Sequence, residues 1–340
     1  VSDLDFRRPL VVGGTGFIGL NIAQALHERG LDVRITRRPS SITFAPRKLK
    51  LPMVEASLED EESLYRAMAE SDVVFLAAAH YPRWSVNRVQ QVEHGVSGVR
   101  RALSAARRAK VQRLVYTSSV TTIGPGPAGR AANEDDVWAA EPDSLYFALK
   151  LAMEREVLRA AEEGLPAVAV CPSGCLGRYD VKAGTGFFLV ALARRKLPYV
   201  VDGLLDVVGV EDVAQAHLGA AARGRVGSRY IAAANAVGTR ELLTLAARKL
   251  GAELPQREMG LREALALNLE QEERCAAAGR GAPDIPVEFL DMIRYGQRFD
   301  ARRAREELGF APAGLEEVLD RACAWFEKSG YLGRREPKQS

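Results

Sequence analysis

The segment Gly13-Gly14-Thr15-Gly16-Phe17-Ile18-Gly19 constrains this chain more than any other feature. It stands directly after the apolar run Leu10-Val11-Val12 and directly before a segment with helical periodicity. A strand that ends in spaced glycines and feeds a helix is the pattern of a turn built around a dinucleotide pyrophosphate. Gly13 lets the chain turn sharply, Gly16 lets the backbone approach the pyrophosphate, and Gly19 lets helix and strand pack closely. Unpaired N–H groups at the helix start, over Phe17 and Ile18, then face the phosphates, with Thr15 in the turn beside them.

The rest of the N-terminal half repeats that grammar. Strands are predicted at 33–36, 53–55, 73–77 and 114–117, with helices over 17–29, 63–69 and about 92–110 between them. Short apolar strands without alternation, separated by helices, imply a parallel sheet covered on both faces. That is the doubly wound α/β arrangement, with ligands beyond the C-terminal ends of the strands. A helix over about 144–163 and a strand at 167–170 follow. The Gly- and Pro-containing stretch 172–186 reads as loop, and 207–217 reads as a strand and helix returning to the sheet. The expected organisation is a nucleotide-binding domain over 1–170, its sheet completed by about 205–236. A smaller, mainly helical substrate lobe is expected from 171–204 and 237–340.

Composition removes several classes of function. The 340 residues carry 47 Lys+Arg against 44 Asp+Glu, a net charge of +3. The basic residues are scattered, so no nucleic-acid partner is expected. The most basic stretch, at Arg334, Arg335 and Lys338, reads as a solvated end. No apolar run approaches the roughly 20 residues of a membrane span, and Asp3, Asp5, Arg7 and Arg8 leave the N-terminus without a signal-peptide core. The expectation is a cytoplasmic protein without a membrane partner. Cys171, Cys175, Cys275 and Cys323 form no C-x-x-C pair, and none of the four histidines stand at ligand spacing. Reduced thiols and no metal are expected.

At the end of the second strand, Arg37 and Arg38 occupy the place where an acid would hold a ribose 2′-hydroxyl, with Ser40 and Ser41 following. Arginines there accommodate a 2′-phosphate, so NADP(H) is favoured and NAD(H) remains possible. Tyr146 and Lys150 stand four apart on one helical face, and Ser119 follows the 114–117 strand. A Lys ammonium beside a phenol is expected to lower the phenol's pKa. Ser119 would then hold a carbonyl or alkoxide oxygen while the phenol moves a proton.

Together Gly13-x-x-Gly16-Phe17-Ile18-Gly19, Thr117-Ser118-Ser119 and Tyr146-x-x-x-Lys150 resemble the extended short-chain dehydrogenase/reductase superfamily in its NAD-dependent epimerase/dehydratase branch. Leu114-Val115-Tyr116-Thr117-Ser118-Ser119-Val120, Gly164-Leu165-Pro166 and Cys171-Pro172-Ser173 are most similar to dihydroflavonol-reductase-like members. Asp180-Val181-Lys182 is similar to the hopanoid-associated sugar-epimerase-like members. The resemblance implies that Ser119, Tyr146 and Lys150 are the catalytic trio. It extends the cofactor set to Ser57, Leu58, Ala77, Ala78, Ala79, Thr117, Pro172 and Ser173, and it implies a homodimer. Three departures stand out. Ser57 replaces the usual Asp, Gly95 replaces the Asn of Asn-Val-x-Gly, and Leu205-Asp206-Val207 lacks the Arg that clamps a sugar-nucleotide diphosphate. Bidentate Arg recognition of phosphate is hard to replace, although Arg178, Lys182 or Arg240 could substitute.

Loop residues supply the remaining candidates. His80, Tyr81, Arg83 and Trp84 follow the 73–77 strand, and Trp138 and Asp143 precede Tyr146. Substrate contacts are expected from His80, Trp84, Trp138 and Arg178. Phe187 and Phe188 read as core packing, and the charged helix near 261–273 as a solvated lid or lobe helix. The reading is an NAD(P)H-dependent oxidoreductase that interconverts a ketone and a secondary alcohol on a small organic molecule. Its rivals are a nucleotide-sugar epimerase or dehydratase with tightly bound NAD, and a non-catalytic cofactor sensor.

Overall fold

Continuous apolar runs that tolerate burial on both faces become the central strands. In the computed structural model, which describes residues 6–333, β1 (Pro9–Val12), β4 (Val73–Leu76) and β6 (Ala167–Pro172) are buried at every position. The Asp3, Asp5, Arg334, Arg335 and Lys338 expectations lie outside the described residues. From β1 the chain runs through α1 (Phe17–His27), β2 (Arg34–Arg37), the short α2 (Phe44–Lys48), β3 (Met53–Glu55) and α3 (Glu61–Met68) to β4. Then come α4 (Arg88–Arg108), β5 (Arg113–Thr117), α5 (Leu145–Glu162) and β6. Each strand expected in this half is present to within a residue or two at its ends.

Beyond β6 lie β7 (Gly174–Leu176), α6 (Phe187–Ala193), β8 (Leu204–Gly209), α7 (Val210–Arg223), β9 (Arg229–Ala232) and β10 (Asn235–Gly238). Four α-helices follow among the described residues: α8 (Thr239–Leu250), α9 (Leu261–Ala277), α10 (Val287–Arg294) and α11 (Leu315–Lys328). The main sheet has the order β3-β2-β1-β4-β5-β6-β9, and all its pairings are parallel. Its strand order reverses between β1 and β4, so the glycine turn opens into the crevice at the switch point. One face of the sheet packs on α1 and α7 through Leu20, Ile22, Val213 and Leu218. The other packs on α3, α4 and α5 through Leu64, Val99, Leu103 and Met153.

Two expectations need correction. The 207–208 strand does not return to the main sheet. As β8 it forms the centre of a separate three-stranded sheet, parallel to β7 through Gly174↔Val207 and antiparallel to β10 through Asn235↔Val207. The seventh place in the main sheet belongs to β9, in register Ala169↔Arg229. The stretch 172–186 is also not wholly loop, because β7 begins two residues after β6. Gly174 permits that departure, since a Cβ there would lie 3.0 Å from the Asp206 carbonyl oxygen. A third core, with Phe188, Leu192, Leu242, Leu290, Val318 and Phe326, joins this sheet to α6, α8, α10 and α11.

Candidate active site

The glycine turn is held from two sides. Thr36 Oγ1 on β2 accepts a hydrogen bond from Gly13 N at 2.9 Å, and Gly13 adopts φ +87°. A Cβ on Gly13 would meet Ala78 N at 2.7 Å, and one on Gly19 would meet the Gly13 carbonyl oxygen at 2.3 Å. No side chain caps α1 at Gly16, so its first-turn amides stay open to an anion. A groove of about 300 Å³ runs from this turn past Arg37, Arg38, Ser41, Ser57, Leu58 and Ala77–Ala79. The residues present therefore fit a dinucleotide. Arg37 spans to Glu55 at 3.2 Å, Ser41 Oγ accepts from Arg38 N at 2.9 Å, and Ser57 Oγ accepts from Glu59 N at 3.2 Å. Thr117 faces away from this groove. Its hydroxyl donates to His217 Nε2 at 2.8 Å, and the His217 Nδ1–H donates to the Val213 carbonyl at 2.8 Å. Burial pushes His217 down to about 4, so its ring is neutral.

Adjoining the groove is a second cavity. Ser119, Tyr146, Ser173 and Tyr81 meet there, and aromatic and aliphatic walls from Phe187, Phe188, Leu242, Phe289 and Met292 enclose it. Ser119 ends the β5 segment in an extended conformation and accepts from Thr121 N at 3.2 Å, which leaves its proton free to point at Tyr146. Ser144 caps α5, accepting from Phe147 N at 3.5 Å, and so fixes the turn that carries Tyr146. Lys150 lies one turn on, buried, with Nζ 5.8 Å from the centre of the Tyr146 ring.

The electrostatics differ from the sequence expectation. Burial pushes Tyr146 up to about 12, helped by Glu288 and Cys175. The Ser119 hydroxyl pulls against that shift. Burial also pulls Lys150 down to about 8. Lys150 faces the ring of Tyr146, and desolvation decides the direction of the phenol's shift. Burial therefore favours the protonated phenol at Tyr146.

Behind the trio lies a residue that sequence reasoning missed. Glu154 continues the Tyr146–Lys150 face by one more turn and is 1% exposed. It accepts from the Ser118 hydroxyl, from Thr122 Oγ1 at 2.9 Å and from Cys171 Sγ at 3.3 Å. It also pairs with Arg229 at 3.1 Å. Arg229 further donates to the carbonyls of Thr122 at 3.3 Å, Glu134 and Asp136 at 3.4 Å. One carboxylate thus ties the helix of Tyr146 and Lys150 to the Ser119 turn, to β6 and to β9. The four-residue spacing was visible in the sequence, but its partners were not.

The four residues expected to touch substrate lie elsewhere. His80 lines the cofactor groove and donates from Nε2 to Gln91 Oε1 at 2.5 Å. Trp84 donates to the Gly281 carbonyl at 3.3 Å. Trp138 donates to the Thr121 carbonyl at 3.0 Å and packs edge-on against Phe147 and Tyr295. Arg178 pairs with Glu211 at 2.9 Å beside a different groove. Of the His80–Trp84 loop, Tyr81 reaches the cavity, and Phe187 and Phe188 line it as well as packing in the core. The three cations offered as substitutes for a diphosphate clamp are placed apart from it. Arg178 is held by Glu211, Arg240 pairs with Glu258, and Lys182 lines the cofactor groove. Gly95 also has a local explanation, since a Cβ there would sit 2.4 Å from Leu149 Cδ1 between α4 and α5.

Among the described residues no group of three or more His, Cys, Asp or Glu is arranged to hold a metal ion, and no helix is long and apolar enough to cross a membrane. Relatives share the architecture end to end. A Synechocystis protein named as a dihydroflavonol 4-reductase is 32% identical over 95% of both chains. Sterol demethylase protein B of Methylococcus capsulatus is 28% identical over 95% of this chain and 99% of its own. A solved nucleoside-diphosphate-sugar epimerase from Pseudomonas aeruginosa superposes with a TM-score of 0.80 at 27% identity, covering 96% of this chain and 99% of that one. The model of the NAD dependent epimerase/dehydratase family matches residues 9–233, and with the glycine turn, the groove and the Ser119–Tyr146–Lys150 cluster in place, the chain belongs to that family of NAD-dependent enzymes.

Proposed function

We propose that this chain is an NAD(P)H-dependent oxidoreductase that interconverts a ketone and a secondary alcohol on a small organic molecule, and that it works as a reductase at neutral pH. The observation that carries this reading is the buried Tyr146, its phenol pushed up by burial, beside Ser119 in a largely apolar cavity that borders the dinucleotide groove at Tyr81. Ser119 holds the substrate oxygen, Tyr146 gives that oxygen its proton, and Lys150 stands behind the phenol as the nearest buried cation. A reduced nicotinamide supplies the hydride when bound. Arg37 and Arg38 support a preference for NADP(H), because they line the groove where a 2′-phosphate needs cations. Relatives named as ketoreductases and sterol dehydrogenases favour redox chemistry on a carbonyl.

The epimerase-or-dehydratase alternative draws on the Pseudomonas neighbour. Against it stands the lining of the cavity, which includes no Lys or Arg to receive a diphosphate. The deciding experiment is to release and identify any nucleotide carried by the purified protein. The emptied protein is then titrated with NADPH and NADH, and ketones are screened by loss of NADPH absorbance. An empty protein that prefers NADPH and reduces a ketone is the expected result. Tightly held NAD+ that resists dialysis, with no net NADPH oxidation, overturns it.

A further inference from the structure

Two acids line the cavity, and they are placed differently. Asp206 is buried, accepting from Ala234 N at 3.0 Å. Glu288, on α10, is half-buried and faces the cavity beside Tyr146. Tyr81, from the loop after β4, donates its hydroxyl to Glu288 Oε1 at 2.5 Å. Its ring centre lies 5.5 Å from that of Tyr146, tilted by 59°. Although Tyr81 is 57% exposed, its hydroxyl end is crowded. Burial and Glu288 push its pKa well above the usual phenol range, so the pair stays a phenol–carboxylate hydrogen bond. Tyr81 also lines the cofactor groove and therefore borders both spaces.

No cation lines the cavity to balance Glu288. Arg294, nearly two turns further along α10, donates to Asp143 at 2.8 Å. Glu272 accepts from Ser85 N at 2.9 Å, and with Asp291 it adds acidic groups near Glu288. A negative potential in a cavity with apolar walls is poorly screened.

We propose that Glu288, held by Tyr81 across the cleft, is a specificity-determining residue that admits uncharged and cationic substrates and turns away those bearing a carboxylate or phosphate. This rests on the reading of the cavity as the substrate site of a carbonyl reductase. Tyr81 spreads the carboxylate charge and sets its position, and a neutral substrate's own hydroxyl or amide donates to the free lone pairs of Glu288. An anionic group brought to the same place finds a like charge and no counter-ion.

The test uses the NADPH-loaded protein and a matched pair of ketones, 4-oxocyclohexanecarboxamide and 4-oxocyclohexanecarboxylate. Dissociation constants come from NADPH fluorescence, and reduction rates are measured in parallel. The carboxamide is expected to bind the wild type at least about tenfold more tightly than the carboxylate. In Glu288→Gln the ratio falls to within about threefold, chiefly because the carboxylate gains. In Tyr81→Phe, with the carboxylate of Glu288 uncovered, the discrimination is kept or grows. Melting curves establish that both variants are folded. An unchanged ratio in Glu288→Gln, equal binding of both ketones by the wild type, or binding of neither overturns the proposal. The discrimination without NADPH oxidation would keep the filter and remove the reductase reading. Reduction of both ketones at equal efficiency would do the reverse.

Discussion

Replacing Glu154 with Gln removes one charge from a buried pair and leaves the other in place. Glu154 is 1% exposed, Arg229 Nη1 lies 3.1 Å away, and the Arg229 side chain is 11% exposed. Stranding one member of such a pair costs about 3–5 kcal/mol. The low end applies here for two reasons. Arg229 keeps its carbonyl partners at Thr122, Glu134 and Asp136, and the Gln amide oxygen still accepts from Ser118 or Thr122. Unfolding entropy of roughly 2.1 cal/mol/K per residue, over 340 residues, makes each degree of Tm worth about 0.7 kcal/mol. The expected loss is then about 3 kcal/mol, or about 4 °C. Thermal and urea melts of E154Q, R229M and the double variant measure it, with an expected coupling of at least about 1.5 kcal/mol between the two sites. A fall of less than about 1 °C in E154Q, or a coupling under about 0.5 kcal/mol, would refute the claim that this pair fastens the helix of Tyr146 to the sheet.

Other outcomes follow from the same geometry. Tyr146→Phe should cut ketone reduction by about 10²- to 10⁴-fold and leave NADPH binding within about twofold, as measured by steady-state rates and fluorescence titration; near-normal turnover would remove Tyr146 as the proton donor. Arg38→Ala should weaken NADPH by about 10- to 100-fold, the loss of one charge-assisted phosphate contact, while NADH binding stays unchanged. Reduction should fall as pH rises through about 8, where Lys150 loses its proton while Tyr146, at about 12, keeps its own. A pH–rate profile that stays flat to pH 10 would exclude Lys150 as the controlling group. The same shift affects stability: Lys150 titrates near 8 when folded, below its ordinary value of 10.5, so the unfolded chain binds the extra proton between those values. This group's contribution to stability therefore rises with pH across that window. Gly95→Ala should cost about 1–3 kcal/mol in a urea melt, because its Cβ would sit 2.4 Å from Leu149, which is fully buried.

How much of this was legible in the chain depends on the range of the interactions involved. The glycine turn and the buried strands are local patterns, and their positions follow from sequence alone. β8 reads as a strand, but its apolar residues carry no mark of which sheet will take it. That choice depends on β7, a three-residue strand that begins at Gly174. The Tyr146–Lys150 spacing is equally plain, yet the direction of the Tyr146 shift is set by desolvation from walls contributed by distant segments. Glu288 is the extreme case. It meets Tyr81 across 207 residues of chain, and nothing near position 288 distinguishes that carboxylate from an ordinary surface acid. Trp84, Trp138 and Arg178 are the opposite case, residue types suited to binding whose side chains the fold engages in hydrogen bonds and an ion pair outside the cavity.

The separation of the two sheets has a consequence in time as well as in space. Ser119, Tyr146, Lys150 and the whole glycine turn are synthesised by the end of β6 at Pro172. The strand that completes the main sheet follows at Arg229–Ala232, and the helix carrying Glu288 only at Val287–Arg294. Because domains form in order as the chain emerges, the nascent protein holds its proton donor well before it has a closed chamber around it. The last wall to arrive is the one that judges what enters, so the reactive machinery is assembled before it is given anything to select.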